Sequence, residues 1–343
     1  MRRGAVCAAV AGLLAASALA AAPGGTGQTV NVAATAETRP VGTAAVDAAD
    51  DPAIWRNPRR PAASLIVATD KRAGLYVYGL DGTVRDFVAA GRVNNVDLLD
   101  LGPAGIIVVA SDRNDETQAR LLVYRLDPAT GKLATLGQAG GGAGEAYGVC
   151  LVAHGAGIDA FSVLKHGAIH QVRLTLAGTG VSGTIVRSLQ LPTQTEGCVV
   201  DPRSGTLYVG EEDRGIWAFS TAETDRNGTL VAAVDGRHLV ADVEGLALAP
   251  VGARGGWLVA SSQGDNAYAL FRLPGLEPAG RFRIAAGKFG STEETDGIAL
   301  DPRPFGSRFP QGLFIAQDGS NAPAAQNFKL VSWGKVRAAL ERR

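Results

Sequence analysis

The chain has 343 residues, which is enough for one large domain or two ordinary ones. Its 33 Lys and Arg residues balance its 33 Asp and Glu residues, so no overall positive charge is available to attract nucleic acid or an anionic membrane. Only 19% of the residues are charged, while 45 are Gly and 16 are Pro. This composition favours short strands and tight turns over long helices.

The first 22 residues have the pattern of a secretory signal peptide. Arg2 and Arg3 give a positive start, an apolar Ala-rich stretch follows, and small residues surround Ala20. A membrane anchor fits less well, because no second apolar span follows this stretch. We therefore expect cleavage near residue 22, a secreted or periplasmic protein without membrane attachment, and a single domain over residues 23–343.

Two cysteines remain once Cys7 has left with the signal peptide. An oxidising compartment permits a disulfide between Cys150 and Cys198, and two buried free thiols are equally consistent with the sequence. Two thiols are too few for a metal–thiolate site.

One phrase recurs six times along the chain. It is a polar or acidic cluster that leads into a short apolar strand, often through a Gly. The phrases begin at Asp50, Asn94, Glu145, Gln194, Asp242 and Glu294. Their starts lie 44, 51, 49, 48 and 52 residues apart. A second strand, a polar turn and a third strand follow each phrase, as in "SLIVATDKRAGLYVYGL".

Periods of this length, built from several short strands, are typical of propeller blades. The sequence therefore predicts an all-β, six-bladed β-propeller, with blades of mostly four and some five antiparallel strands around a channel. We expect Thr29–Pro40 to supply a strand to the last blade, which avoids an unpaired edge. The stretch "GQAGGGAGEAYG" is interpreted as a flexible connection between blades two and three.

Acidic and polar residues converge on one face of such a fold, because the innermost strands surround the channel. The residues at the entrances of these strands are Asp50, Asp51, Asn95, Asp97, Tyr147, Glu196, Asp242, Glu244 and Asp296. The turns after the second strands add Asp112, Glu211, Glu212, Asp213 and Asp318. Asp47 precedes the first phrase and has the weakest claim among these acids.

So many carboxylates at one channel mouth need compensation, since like charges raise one another's pKa values. Calcium accepts about six to eight oxygen ligands in flexible geometry, whereas four His and no thiolate pair argue against zinc or copper. A solvated turn acid is the simpler interpretation of any one residue. The set as a whole favours several bound calcium ions.

Basic residues occupy the same turn of blades one, two and three: Lys71 with Arg72, Arg113, and Lys165. Cations beside a calcium cluster suit a ligand with several negative charges, such as phosphates. Surface salt bridges are the alternative. The sequence contains no G-x-S-x-G elbow, Walker A loop or H-E-x-x-H motif.

A series of motifs then resembles a known family. In chain order they are "AADDPAIW", "NNVD", "EAYGV", "QTEG", "EED" with "IW", "DGRHL", "DVEGL", "ASSQG", "TDGI", "GLFIAQDG" and "QNFK". They resemble the β-propeller phytases, also called alkaline or Bacillus-type phytases, from Glu37 to about Trp333. The resemblance implies a phosphoric monoester hydrolase of the 3-phytase type, which uses calcium to convert phytate, myo-inositol hexakisphosphate, to lower inositol phosphates and phosphate.

The resemblance also implies roles for individual residues. The catalytic calcium cluster is assigned to Glu37, Tyr147, Glu196, Glu212, Asp242 and Glu244, with Glu211 beside it. The phosphate-binding bases are Lys71, Arg113 and Lys165, which complete the expected catalytic set with Tyr147, Glu196 and Glu212. Mouth positions near bound calcium are Asp50, Asp51, Asn95, Asp97 and Asp296. A separate stabilising calcium is assigned to Asp318 and Asn321.

Two positions depart from the family pattern. His166 follows Lys165 where the family often has an acid, and Gly290 stands where the family has another acid before Asp296.

The expected mechanism is direct attack by calcium-bound water on a calcium–phytate complex, with no covalent phospho-enzyme, in a monomeric protein. A calcium-dependent propeller lactonase or esterase is one alternative, but it would need a His base and few lysines at the mouth. A non-catalytic secreted binding propeller is another, but it would need exposed aromatic residues, and only 6% of residues are aromatic.

Overall fold

The computed structural model describes residues 29–44, 47–155, 157–178 and 180–342. The predicted signal peptide, residues 1–22, lies outside these ranges. Within them, no helix has the length and apolar character needed to cross a bilayer.

The described residues form six separate sheets, numbered here as blades in chain order. Blade one contains β3 (Ala49–Trp55), β4 (Leu65–Asp70), β5 (Gly74–Gly79) and β6 (Val84–Ala89). Blade two contains β7 (Val93–Asp100), β8 (Ile106–Asp112), β9 (Gln118–Asp127) and β10 (Lys132–Ala143). Blade three contains β11 (Ala146–His154), β12 (Gly157–Leu164), β13 (Ala168–Ala177) and β14 (Gly180–Gln190).

The second half of the chain repeats this plan. Blade four contains β15 (Thr195–Asp201), β16 (Thr206–Glu211), β17 (Gly215–Ser220) and β18 (Gly228–Ala233). Blade five contains β19 (Val243–Val251), β20 (Gly255–Ser262), β21 (Ala267–Leu273), β22 (Glu277–Ala285) and β1 (Thr29–Ala33). Blade six contains β23 (Ile298–Asp301), β24 (Leu313–Asp318), β25 (Asn327–Ser332) and β2 (Ala36–Glu37). One α-helix, α1 (Trp333–Glu341), follows the last strand.

The innermost strands close a ring around the channel. β3, β7, β11, β15, β19 and β23 pack against one another in that order, and β23 packs back against β3. Consecutive strands within each blade pair antiparallel. The six-bladed propeller predicted from the repeat is therefore confirmed.

The segment expected to complete the last blade is divided between two blades. β2 pairs antiparallel with β25 and supplies the fourth strand of blade six, as predicted. β1 instead pairs parallel with β22 and adds a fifth strand to blade five. Because β2 comes from the first part of the chain and β25 from the last, their pairing closes the ring without a covalent link.

Apolar clusters between adjacent blades hold the ring together. Between blades five and six, Phe282, Phe314 and Trp333 are almost fully buried in one such cluster. Burial of each large apolar side chain stabilises the fold by roughly 1.5–3 kcal/mol relative to exposure. Tyr268 lies in the same cluster, and its hydroxyl lies 2.7 Å from Thr292 Oγ1, so its polar atom is not left unsatisfied.

The glycine-rich stretch is a strand and not the flexible connection that its composition indicated. It lies mostly in β10, the outer strand of blade two, paired with β9. A Cβ on Gly142 would lie 2.2 Å from the ring of His170, and one on Gly144 would lie 2.4 Å from the ring of His166. The glycines therefore allow two imidazole rings of blade three to pack against this edge.

A disulfide joins Cys150 in β11 to Cys198 in β15, with their Cα atoms 5.8 Å apart. Of the two possibilities that the sequence left open, the structure has the bonded one. The bond links the innermost strands of blades three and four, a few residues from Tyr147 and Glu196.

Candidate functional site

The recurring phrase forms a ring of side chains at one end of the channel. In β3, β7, β11, β15 and β19 the pairing with the next strand shifts register at the same place, through a β-bulge of two residues. The first bulge residue of each strand, with its equivalent just before β23, gives the ring Asp50, Asn94, Tyr147, Glu196, Glu244 and Asp296. Bulges of this kind redirect side chains, and here they do so once per blade.

The second bulge residue explains why the phrase contains Gly. A Cβ on Gly148 would lie 1.9 Å from the carbonyl oxygen of Glu196 in the next blade, and one on Gly197 would lie 2.2 Å from that of Glu244. Gly245 and Gly297 meet the following blades in the same way. Glycine thus permits the close backbone approach that brings the ring side chains together.

The turns after the second strands form another ring around the first. Its members are Lys71, Arg113, Lys165, Glu212, Gln263 and Gly319. In five blades the backbone N–H of this residue donates to the carbonyl two residues before the first ring, as in Lys165 N to Glu145 O (3.1 Å) and Glu212 N to Gln194 O (3.0 Å). The basic residues of blades one to three therefore occupy equivalent places.

Three glutamates form the acidic centre of the mouth. Ligand oxygens of Glu196, Glu212 and Glu244 lie within 4.8 Å of one another, and all three residues are at most 8% exposed. Burial first, and then neighbouring carboxylates, raise the pKa values of Glu196 and Glu244 well above the usual range. Burial likewise raises the pKa of Glu212 to about 7.

Several oxygens of this centre have no hydrogen-bond partner among the described residues. They are Glu212 Oε1, Glu244 Oε2, Asp50 Oδ2 and Asn94 Oδ1. A buried carboxylate oxygen without a partner is costly, so native proteins supply a donor or a cation. All four atoms are oxygens, and oxygen ligands suit a hard cation such as calcium. The residues present therefore fit a bound calcium ion.

On the side of blades one and six, a lysine lies among three of the acids and offsets part of their charge. Lys71 Nζ lies 2.5 Å from Asp47, 2.8 Å from Asp50 and 2.9 Å from Asp296. Burial opposes its charge, but the Coulombic attraction of these and other carboxylates raises its pKa. Gln263 Nε2 donates to the other oxygen of Asp296 (2.7 Å). All three N–H bonds of the Lys71 ammonium are thus directed at carboxylates.

Blades two and three contribute the positive side of the mouth. The ring of Tyr147 lies 5.1 Å from Lys165 Nζ and 5.6 Å from the guanidinium carbon of Arg113. Glu145 lies between the same cations, 3.4 Å from Arg113 and 3.9 Å from Lys165. Burial, then neighbouring carboxylates, raise the pKa of Tyr147, so its hydroxyl stays protonated.

Asp51, Asn95 and Asp97 follow the first ring into the channel. Asp51 Oδ2 accepts a hydrogen bond from Val96 N (3.0 Å), and burial raises its pKa. With its amide turned to satisfy its neighbours, Asn95 lies 3.0 Å from the carbonyl of Tyr147. Asp97 accepts from the backbone of Leu98 and of Leu151, and burial raises its pKa to about 7. These residues line a deeper channel cavity of about 660 Å³.

Glu37, Asp318 and Asn321 surround a buried lysine. Lys329 Nζ lies 2.7 Å from Glu37, 3.0 Å from Asp318 and 3.0 Å from the side-chain oxygen of Asn321. A fourth oxygen, Asn327 Oδ1, lies 2.9 Å away, and Lys329 is fully buried. The structure thus places an ammonium group among the oxygens that the family pattern assigns to calcium, and their role as ligands stays a prediction.

Two further predicted ligands differ in their surroundings. Asp242 lies beside the glutamates, where burial and then the charge of Asp213 raise its pKa. Glu211 is turned away from them: its carboxylate accepts from Thr193 N (2.9 Å) and from Trp217 Nε1 (2.8 Å). Unlike the three glutamates, Glu211 therefore has both carboxylate oxygens occupied by hydrogen bonds.

Sequence reasoning missed three residues of this site. Asn94 belongs to the first ring and donates to Glu196 Oε1 (2.8 Å), and its place at the start of its phrase, like that of Asp50, could have indicated this. Glu145 begins the third phrase but was given no role. Asp47, given the weakest claim, contacts Lys71.

Known proteins share this sequence pattern over nearly the whole chain. A model of the family described as Phytase matches residues 3–343. The chain belongs to the phytase family. A 3-phytase of Bacillus subtilis (strain 168) is 38% identical over 325 residues, covering 89% of this chain and 84% of that protein.

Membership confirms the resemblance inferred from the motifs and identifies the protein as a phosphoric monoester hydrolase. Among solved structures, one described as an oxidoreductase (glucose dehydrogenase) from Thermus thermophilus covers 83% of this chain and 97% of its own, with a TM-score of 0.49 and 11% identity. A likeness of this extent supports no argument about the present chain.

Proposed function

We propose that the protein is a calcium-dependent phytase that releases phosphate from myo-inositol hexakisphosphate. The observation that carries this proposal is the arrangement of the channel mouth. Buried carboxylate oxygens without partners on blades four and five face loosely paired cations on blades two and three. A polyanion held through metal ions on one side and through basic side chains on the other fits this arrangement.

Glu196, Glu212 and Glu244 are the residues that would hold the central cation. The side-chain amide of Asn94 donates to Glu196 and fixes its carboxylate. Glu212 and Glu244 each keep one oxygen without a partner among the described residues, and ligand oxygens of the three glutamates lie within 4.8 Å of one another. A bound calcium ion supplies charge neutralisation and lowers the pKa of a coordinated water. We place Asp50, Asp51, Asn95, Asp97, Asp242 and Asp296 around this centre as further ligands.

Arg113 and Lys165 bind the phosphate group that is transferred. Arg113 Nε is buried and has no partner among the described residues, so its guanidinium still has a donor to offer. Tyr147 supports both cations with its ring and stays protonated, which keeps a hydroxyl donor at the mouth. Donors arranged before the substrate arrives stabilise the charge that develops on a transferring phosphoryl group.

Lys71 has a different part in this proposal. Its ammonium is committed to Asp47, Asp50 and Asp296, so it holds the acids of blades one and six in place. It contacts phosphate only when one of these acids turns to a metal ion. Direct attack of water without a covalent phospho-enzyme is the step we infer for this site, with calcium–phytate as the substrate.

The test is phosphate release from phytate, with calcium and with chelator, by wild type and Glu196→Gln. We expect the wild type to require calcium and the variant to lose at least about 100-fold in kcat/KM. Glu116→Gln, which removes an exposed carboxylate paired with Arg92, is the control and should retain full activity. Turnover that persists in chelator would refute the proposal, and cleavage of aryl esters or lactones alone would indicate the esterase alternative.

We further infer that residues 1–22 are a signal peptide, that residues 23–343 form one exported, monomeric domain, and that Asp318 and Asn321 bind a separate stabilising cation. Support for all three comes from the sequence pattern. Mass spectrometry of the secreted protein and light scattering test the first two inferences.

A further inference from the structure

One carboxylate at the mouth has no role in the function proposed above, although it lies close to both Arg113 and Lys165. Glu145 Oε1 lies 3.4 Å from Arg113 Nη1, and its Oε2 lies 3.9 Å from Lys165 Nζ. We propose that Glu145 is a resident counter-anion, which competes with phosphate for these two cations and thereby limits phosphate affinity. This inference rests on the proposed function, since it concerns the same phosphate-binding residues.

The contacts of Glu145 are those of an anion that can be displaced. Charge-assisted hydrogen bonds between a cation and a carboxylate are about 2.7–2.9 Å long, and Lys71 at the same mouth makes contacts of that length. Both contacts of Glu145 are longer, and Arg113 Nε remains without a partner among the described residues. Arg113 and Lys165 are therefore neutralised only in part.

The backbone keeps Glu145 in this place. Lys165 N donates to Glu145 O (3.1 Å), which fixes the turn of blade three beside Glu145, the residue just before β11. The Glu145 side chain is only 20% exposed, so a phosphate that reaches both cations must approach its carboxylate. Repulsion between the two anions is weakly screened in such a setting and opposes phosphate binding.

The sign of the effect distinguishes this role from a purely structural one. If Glu145 only held the cations in position, its neutralisation would loosen them and weaken phosphate binding. If it competes with phosphate, its neutralisation strengthens binding of both product and substrate. Release of product would then be slower, while the chemical step gains nothing.

The experiment uses the calcium-loaded protein and inorganic phosphate as the probe. Isothermal titration of wild type, Glu145→Gln and Glu145→Asp gives Kd for phosphate, and phytate kinetics give KM, kcat and the inhibition constant of phosphate. Glu223→Gln is the matched control, because it removes a carboxylate paired with Arg173 at the opposite end of the propeller.

We expect Glu145→Gln to lower Kd for phosphate and KM for phytate by roughly three- to tenfold, without an increase in kcat. Glu145→Asp, which keeps the charge, and Glu223→Gln should stay within about twofold of wild type. Unchanged or weaker phosphate binding by Glu145→Gln, in a wild type that hydrolyses phytate, would overturn this inference alone. A wild type that releases no phosphate from phytate would overturn the proposed function and this inference with it.

Discussion

Neutralising one glutamate of the acidic centre should stabilise the calcium-free protein. Glu196, Glu212 and Glu244 are buried, with oxygens within 4.8 Å of one another. Burial and neighbouring carboxylates raise the pKa of Glu244 in the folded protein above its ordinary value of 4.5. Above pH 4.5 Glu244 therefore binds more protons in the folded protein than in the unfolded chain, and its contribution to stability falls as the pH rises.

The size of the effect follows from these distances. Two carboxylates 4.8 Å apart repel each other by about 3 kcal/mol at an effective dielectric constant of roughly 20. Uptake of a proton limits the cost, because holding one proton at pH 8 on a group of ordinary pKa 4.5 costs about 5 kcal/mol. We therefore expect Glu244→Gln to stabilise the calcium-free protein by about 3–5 kcal/mol at pH 8, which is a rise in Tm of about 5–8 °C.

The assay is thermal unfolding of wild type and Glu244→Gln in chelator at pH 8 and pH 5, and again in calcium at pH 8. At pH 5 the cost of the bound proton falls below about 1 kcal/mol, so the two proteins should melt together. Calcium should raise the Tm of the wild type far more than that of the variant, because ions that bind only the folded state stabilise it. A variant that melts at or below the wild type in chelator at pH 8 would refute the reasoning.

Three other perturbations test the scaffold. Replacing Cys150 and Cys198 by Ala removes a link across 48 residues and should cost about 4 kcal/mol in denaturant unfolding; an unchanged midpoint would contradict a bonded native state. Gly297→Ala places a Cβ 2.5 Å from a backbone atom of the next blade and should cost about 1–3 kcal/mol and weaken calcium binding in titration calorimetry. Gly140→Ala, which meets no atom within 4 Å, is its control and should bind calcium normally. Lys329→Met leaves the buried Asp318 and the half-buried Glu37 without their cation and should cost about 3–5 kcal/mol by thermal unfolding, and a loss below about 1 kcal/mol would exclude that role.

The architecture could be predicted because the blades appear in the sequence as a regular repeat. Phrases about 50 residues apart imply equivalent strands, and equivalent strands around a channel bring their entrances together. The recurring phrase also included its glycines, and the structure explains them, since Gly197 and Gly245 allow the close approach of neighbouring blades. The β-bulges were not visible in the sequence, although they decide which of two adjacent residues points to the mouth.

Asp50 and Asp51 illustrate that limit. In the sequence they are equivalent acids, but the bulge directs Asp50 to Lys71 and Asp51 to the backbone of Val96 in the channel. The same two-residue ambiguity led to the choice of Asn95 over Asn94, because a shift of one residue in a strand changes the face on which a side chain lies.

Long-range partners were the other limit. Lys71 was predicted as a phosphate ligand from its place in a turn, yet one of its carboxylates, Asp296, lies 225 residues away. Lys329 had no predicted role, because its partner Glu37 lies 292 residues away on a two-residue strand. Composition also gave the wrong prediction for the glycine-rich stretch. Its glycines leave room for neighbouring imidazole rings against a strand, and they do not indicate a loop.

The distribution of charge around the mouth explains how an acidic channel can accept a polyanion. Blades one and six hold three acids that share the single charge of Lys71, and blades four and five hold three glutamates with no protein cation of their own within bonding distance among the described residues. Blades two and three hold Arg113 and Lys165, which share only Glu145. The three glutamates therefore depend most on an external cation, and Arg113 and Lys165 together have positive charge to spare. A ligand with several phosphates would therefore lie with one phosphate over blades two and three and others over the cation that we propose at blades four and five. A uniformly acidic ring would give it no preferred orientation.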